Sequence, residues 1–328
     1  MSPAGDKLTF FQNLGRATCI CSLLFLCLGS GLILYSAPSL AETCQEEVGR
    51  EDMCRLISNK LASIGLQECR ELRLEPSGHC SEEGKPLLIK EYPPLYPKTP
   101  QARILVVGGT HGDEYSSISV LFKWMDILKA HHSGLFHWKF VPLLNPDGLL
   151  KPQSSRTNAN GVDLNRNFPA PLWGKAGYQR WVEKTGKDPR YYPGQKPLSQ
   201  AESIFLVELI QDFQPQAVIS LHSPLGLVDY DGPGRPPNNL GELQFQRLGN
   251  FAGTLGNFAG KQGQIPVLTL ELASSGSMPS QKQISETWMD LIRWLVINLP
   301  VTPAWEQIQA QKQGQGQSGT RVQALEGK

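Results

Sequence analysis

Four residues with metal-binding or acid–base chemistry occupy similar places along the chain: His111, Glu114, His222 and Glu271. Each lies at or just beyond a short apolar run that reads as a buried strand: Ile104 to Val107, Ala217 to Leu221, and Val267 to Glu271. Two His and one Glu match the donors of a catalytic zinc ion, which takes three protein ligands and keeps a fourth position for water. His111 and Glu114, three residues apart in His-Gly-Asp-Glu, can reach one ion from a single turn, and His222 would join from a neighbouring strand. Taken alone, the same tetrapeptide reads more readily as a loop histidine followed by a helix N-terminal acid favoured by the dipole. His79, His131, His132 and His137 lack such surroundings and read as surface or packing residues.

The elements that would position these groups alternate. After the strand at Ile104 to Val107, Ser116 to Ala130 reads as a helix, and His137 to Leu144 as a strand disturbed by Pro142. Ser199 to Phe213 reads as a helix opened by a capping box from Ser199 to Glu202. Thr287 to Leu299 reads as an apolar helix stopped by Pro300. Strands alternating with helices predict an α/β fold, with a mixed, mostly parallel central sheet and helices on both faces. Open sheets of this kind place ligand sites outside the carboxyl ends of their strands, which is where the four residues fall.

Whole-chain properties bound the rest. The chain has 328 residues and a formal net charge of +1, so no basic excess exists to neutralise nucleic-acid phosphates. Lys7 and Arg16 precede an apolar run from Ala17 to Leu34, and Ser39-Leu40-Ala41 follows with small residues at a cleavage position, the layout of a secretory signal over residues 1–41. The alternative is an uncleaved segment anchoring the chain to the inner membrane; the export reading is periplasmic or secreted. Cys44, Cys54, Cys69 and Cys80 cluster just after the signal and predict two disulfides in an oxidising compartment, with the connectivity open. Residues 42–94 then form a small Cys-bearing segment, in which Asp52 to Leu66 has helical apolar spacing. Tyr92 to Pro100 reads as a Pro-rich connector, residues 95–305 as the main domain, and residues 306–328, rich in Gln and Gly, as a disordered tail. Oligomeric state has no sequence signature.

Beyond the four residues, the chain carries Gly108-Gly-Thr-His-Gly-Asp-Glu114, Asn145-Pro-Asp-Gly148, Gly161-Val-Asp-Leu-Asn-Arg-Asn-Phe168, His222 after an apolar strand, and Thr269-Leu-Glu271. In this order the motifs resemble those of the zinc metallocarboxypeptidases, over about Arg103 to Leu299. Arg156-Thr-Asn-Ala-Asn-Gly-Val-Asp-Leu-Asn-Arg166 and Leu227-Val-Asp-Tyr-Asp-Gly-Pro233 resemble the murein peptide amidase branch of that family. That branch cleaves the bond between γ-D-glutamate and meso-diaminopimelate in cell-wall peptides.

The resemblance implies roles residue by residue. His111, Glu114 and His222 would hold one zinc ion, and Glu271 would be the general base. Arg156 would face the oxyanion, and Asn165 with Arg166 would grip the free carboxylate of the terminal residue. Asp163 would accept a hydrogen bond from the far nitrogen of His111. Asp229, Tyr230 and Asp231 could meet the extra ammonium of a diaminopimelate leaving group, or merely form a polar loop. Asn145-Pro-Asp-Gly148 reads as a tight turn. One departure stands out: Gly249 to Gln264 holds no tyrosine, whereas pancreatic-type carboxypeptidases carry a mobile one there; Tyr230 could substitute. Two other functions stay open, a zinc N-acyl amino acid deacylase of the aspartoacylase type and a non-catalytic peptide-binding protein on the same scaffold.

Overall fold

The computed structural model describes residues 49–96 and 99–299. The expected signal, Cys44 and the C-terminal tail lie outside the described residues. Among the described residues no helix is long and apolar enough to cross a membrane.

Two short helices come first among the described residues, α1 (Arg50–Lys60) and α2 (Leu66–Leu72). The apolar spacing predicts one helix from Asp52 to Leu66, but Leu61 turns to extended backbone and Gly65 caps the second helix. Ile57, Leu61 and Ile64 all enter one core. A disulfide joins Cys54 to Cys69, 15 residues apart, and ties α1 to α2. Closing a loop of that length removes about 3 kcal/mol of unfolded-state entropy. Cys80 is also disulfide-bonded.

Nine strands follow among the described residues: β1 (Glu75–Cys80), β2 (Pro86–Tyr92), β3 (Ala102–Val107), β4 (Phe136–Val141), β5 (Ala217–His222), β6 (Leu227–Asp231), β7 (Asn239–Leu240), β8 (Leu243–Phe245) and β9 (Val267–Glu271). They form one sheet in the order β1-β2-β4-β3-β5-β9-β6-β8-β7. β4, β3, β5 and β9 run parallel through its centre, and β2 and β6 flank them antiparallel. The Cys-bearing stretch therefore does not stand apart from the sheet. β2 pairs with β4, Leu87 and Leu88 are buried, and Tyr92 belongs to this strand, not to a connector.

Period-two alternation sorts the strand side chains between two cores. Ile104 and Val106 of β3 face α1, α2, α3 (Tyr115–His131) and a C-terminal helix (Gln281–Asn298). Leu105 and Val107 face the other side, where a helix over Ala201–Phe213 packs with Phe168 and Phe258. Burial of each such aliphatic contributes about 1.5–3 kcal/mol, so β3 is a firm base for the loop that follows it. Three further α-helices complete the set among the described residues in chain order: α4 (Pro146–Leu150), α5 (Gln179–Lys184) and then α6 (Ala201–Phe213), which leaves the last as α7 (Gln281–Asn298).

Two helix starts differ from the sequence pattern. α7 begins six residues before Thr287, at a capping box between Ser280 and Gln283 whose polar first turn hid it from an apolar reading. α6 has Gln200 at its N-cap with no side-chain cap, and the Ser199–Glu202 box does not form. Ser199 instead takes a hydrogen bond from Asn167 Nδ2 at 2.9 Å, and Glu202 takes one from Asn158 Nδ2 at 3.1 Å. Both asparagines are buried and need protein partners, so the tertiary bonds prevail over the local cap.

The inward turn of Glu202 carries a pH consequence. Burial raises its pKa from the ordinary 4.5 to about 7, against the lowering effect of its backbone and Asn158 hydrogen bonds. The folded state therefore binds more protons than the unfolded chain between these values. Stability falls as pH rises through that window, by about 3 kcal/mol at full ionisation, and levels off above it. Urea midpoints at pH 5 and pH 8 are expected to show a smaller pH-dependent loss for Glu202→Gln than for the wild type. An equal loss in both proteins would mean that Glu202 ionises normally in the folded state.

Candidate active site

The loop between β3 and α3 carries His111 and Glu114. Gly112 at its centre sits against the backbone of Gly148 and Leu149, so any Cβ there would collide with main chain. That contact seats the loop on α4. Glu114 is the N-cap residue of α3, and its backbone carbonyl accepts from Ser117 Oγ at 2.7 Å. Its carboxylate is thus free to turn toward the sheet.

There it meets both histidines. His111 Nδ1 lies 2.7 Å from Glu114 Oε1, His222 Nδ1 lies 3.0 Å from Glu114 Oε2, and the two Nδ1 atoms are 3.1 Å apart. All three side chains are buried, and their ligand atoms fall within 4.8 Å of one another. Burial disfavours ionisation of Glu114, yet the two histidines outweigh it and hold the carboxyl well below the usual range. The donor set fits zinc. His111 Nε2 faces Asp163 Oδ1 at 3.0 Å; a carboxylate only accepts, so a proton on Nε2 makes that bond and would leave Nδ1 to give its lone pair to a metal ion. Two imidazole nitrogens and a carboxylate aimed at one point are satisfied together by a cation.

Asp163 does more than orient His111. Its Oδ2 accepts from Arg156 Nε at 3.0 Å, and its Oδ1 also takes the Asn165 amide at 3.0 Å. Arg156 Nη1 reaches Glu114 Oε1 at 3.3 Å, so the guanidinium sits at the edge of the three candidate ligands. Burial resists ionisation of Asp163, but Arg156, His111 and Arg166 hold it well below the usual range. The loop bearing Arg156 and Asp163 is fastened from behind. Asn158 bonds Gln200 and Glu202, and Asn145 Nδ2 donates to the Arg156 carbonyl at 3.1 Å. The expected tight turn at Asn145-Pro-Asp-Gly148 is instead the start of α4, with Asn145 capping Gly148 and Pro146 at the first helical position. Asp147 accepts from Ser81, the Glu83 amide and Lys85, which locks the turn between β1 and β2 onto the same scaffold.

These groups open on one cleft, lined among others by Glu114, Arg156, Asn165, Arg166, Tyr191, Asp229, Asp231, Thr269 and Glu271. Strand register builds its floor. Ser220, Thr269 and Asp229 lie side by side across β5, β9 and β6, and Glu271 lies beside His222. Glu271 Oε2 is buried with no hydrogen-bond partner among the described residues. Burial raises the Glu271 pKa, with His222 opposing and Glu114 reinforcing the shift. Arg166 is held by its bond to the Asn165 carbonyl at 2.7 Å, and Asn165 Oδ1 accepts from the Leu255 amide at 2.9 Å. Asp231 accepts from Asn250 at 3.0 Å, and Gly256 packs so closely on its carboxylate that no side chain fits there.

Tyr230 is the exception among the expected residues. It alternates to the opposite face from Asp229 and Asp231, packs on Trp294 and donates its hydroxyl to the Pro233 carbonyl. It cannot stand in for a tyrosine of the cleft. The tyrosine that does line the cleft is Tyr191, whose ring lies 5.4 Å from the Arg156 guanidinium carbon. Phe251 and Arg190 are also there, the latter pinned to Asp113 at 2.8 Å. No spacing in the sequence marks these three, because irregular loops bring them in.

Comparison with known proteins agrees with this geometry. A 131-residue stretch is 39% identical to murein peptide amidase A of Escherichia coli strain K12, covering 38% of this chain and 50% of that protein. The chain thus spans about half the length of that relative. Murein peptide amidase A of Vibrio campbellii is 32% identical over 182 residues, covering 52% of this chain and 69% of the other. The fold matches bovine thrombin-activatable fibrinolysis inhibitor, solved in complex with tick carboxypeptidase inhibitor. Its TM-score is 0.51 at 17% identity, covering 73% of this chain and 90% of that one. The zinc carboxypeptidase (peptidase M14) family model matches residues 80–249, more than half of the sequence and inclusive of His111, Glu114 and His222, and the chain belongs to that family.

Proposed function

We propose that this chain is a zinc-dependent peptidase that hydrolyses an amide next to a free carboxylate, with the γ-D-glutamyl–meso-diaminopimelate bond of murein peptides as its substrate. One observation carries the reading: Glu271, whose buried Oε2 has no hydrogen-bond partner among the described residues, lines one cleft with Glu114 of the convergent His111, Glu114 and His222 set and lies beside His222 in the sheet. His111, Glu114 and His222 would hold the ion. When bound, zinc supplies Lewis-acid activation of water and of the scissile carbonyl. Glu271 takes the proton of the attacking water and returns it to the leaving nitrogen. Arg156 faces the negative charge developing on the carbonyl oxygen. Arg166, with Asn165, pairs the carboxylate of the released residue, a task suited to the planar guanidinium.

Two observations support the substrate. The Escherichia coli and Vibrio campbellii relatives described above are named murein peptide amidase A. Asp229 and Asp231 present carboxylates from the cleft floor, where the side-chain ammonium of diaminopimelate needs an anionic partner. A disulfide between Cys54 and Cys69 supports an exported protein, in keeping with a cell-wall substrate. The test is mass spectrometry of products from a γ-D-glutamyl-diaminopimelyl peptide and from N-acyl amino acids, each with and without a chelator. Release of diaminopimelate that stops on chelation is the expected result. Turnover of the N-acyl amino acids alone would replace the peptidase with a deacylase.

A further inference from the structure

Beside the cleft lies a second cavity that shares Arg166, Tyr191 and Phe251 with it as a common wall. Its far side is built by α5, which contributes Arg180 and Trp181. One aromatic ring carries both cations: the guanidinium carbon of Arg180 is 4.5 Å from the Phe251 centroid, and that of Arg166 is 5.9 Å away. Like charges gathered at one ring repel, and Arg180 lowers the pKa of Arg166 in addition to the effect of burial.

Neither guanidinium has an acid hydrogen-bonded to it. Among the described residues Arg180 makes only its contact with the Phe251 ring, and Arg166 donates only to the Asn165 backbone carbonyl. Arg55, Arg156, Arg190 and Arg293 behave differently, since each holds a carboxylate of the chain itself. Two planar cations at one aromatic ring, open to a cavity and hydrogen-bonded to no carboxylate among the described residues, match a ligand with two carboxylates. The acidic floor adjoins this wall, because Asn250, which bonds Asp231, precedes Phe251 in the chain.

We propose that the cavity lined by Arg180, Trp181 and Phe251 is a second carboxylate subsite, in which Arg180 holds a carboxylate at the far end of the released residue's side chain. This rests on the reading of Arg166 as the anchor of that residue's own α-carboxylate. The subsite selects a residue whose side chain ends in both an ammonium and a carboxylate over one that ends in an ammonium alone. Diaminopimelate and lysine differ in that one group.

The test compares the zinc-loaded wild type with Arg180→Gln on two peptides, γ-D-glutamyl-meso-diaminopimelate and γ-D-glutamyl-L-lysine. The wild type is expected to prefer the first, and the ratio of kcat/KM values is expected to fall about tenfold in Arg180→Gln, the effect of losing one charge-assisted hydrogen bond. An unchanged ratio, whether both rates fall together or neither does, overturns the subsite. Cleavage of neither peptide by the wild type would be a failure of the proposed function, and calorimetry then decides the subsite by itself. Tighter wild-type binding of free meso-diaminopimelate than of L-lysine, weakened selectively in Arg180→Gln, supports it; no such preference overturns it.

Discussion

Glu271→Gln is expected to lower kcat by about 10²–10⁴-fold, the ordinary contribution of a positioned acid–base group, while zinc content stays at the wild-type level. The two halves of this expectation come from separate observations. Glu271 is not one of the three side chains whose ligand atoms converge, so the amide leaves the ion's ligands intact. Its Oε2 is buried without a hydrogen-bond partner among the described residues, so the amide removes no bond at that oxygen, and it relieves the cost of burying a charged carboxylate, which outweighs the attraction of His222. The melting temperature is therefore expected to hold or rise. Metal analysis, a thermal melt and steady-state kinetics on one preparation read all three quantities. Wild-type turnover in the variant would remove Glu271 as the base, and loss of zinc would make it part of the metal site.

Arg156→Ala is expected to lower kcat by about 10²–10³-fold with little change in KM, the size of effect seen when one donor to a developing oxyanion is deleted. Arg156 is suited to this task by its restraints. Asp163 fixes Nε, the Tyr191 ring lies beneath the guanidinium, and burial of the cation is offset by Asp163 and Glu114, so it stays charged. The same restraints supply the control. Asp163 also holds His111, so a variant that disturbs Asp163 would lose zinc as well as rate. Retained zinc with a loss confined to kcat supports the oxyanion role. A loss confined to KM would move Arg156 to ground-state carboxylate binding alongside Arg166.

Much of this site is legible in the linear chain, and for a physical reason. Central parallel strands are buried on both faces, so they appear as unbroken apolar runs, and chemistry at their carboxyl ends appears as a polar residue just after each run. His111, His222 and Glu271 were visible in that way. Asp163 and Arg156 were visible only through resemblance, since nothing local says that one carboxylate bridges a histidine and an arginine from a loop held by Asn145 and Asn158.

The sequence by itself marked the four central strands, the residues able to hold a metal, and the carboxyl group beside them. Tertiary structure decided which neighbours reach the cleft. Alternation along β6 sends Asp229 and Asp231 to the cleft and Tyr230 to the opposite core, an outcome set by which face of β6 is covered by α7. Burial turned Glu202 away from its local cap toward Asn158. The loops between Asp163 and α6 brought Arg180 and Tyr191 beside Phe251 from a distant stretch of chain. Such meetings have no local signature, because their energy comes from contacts between segments far apart in sequence.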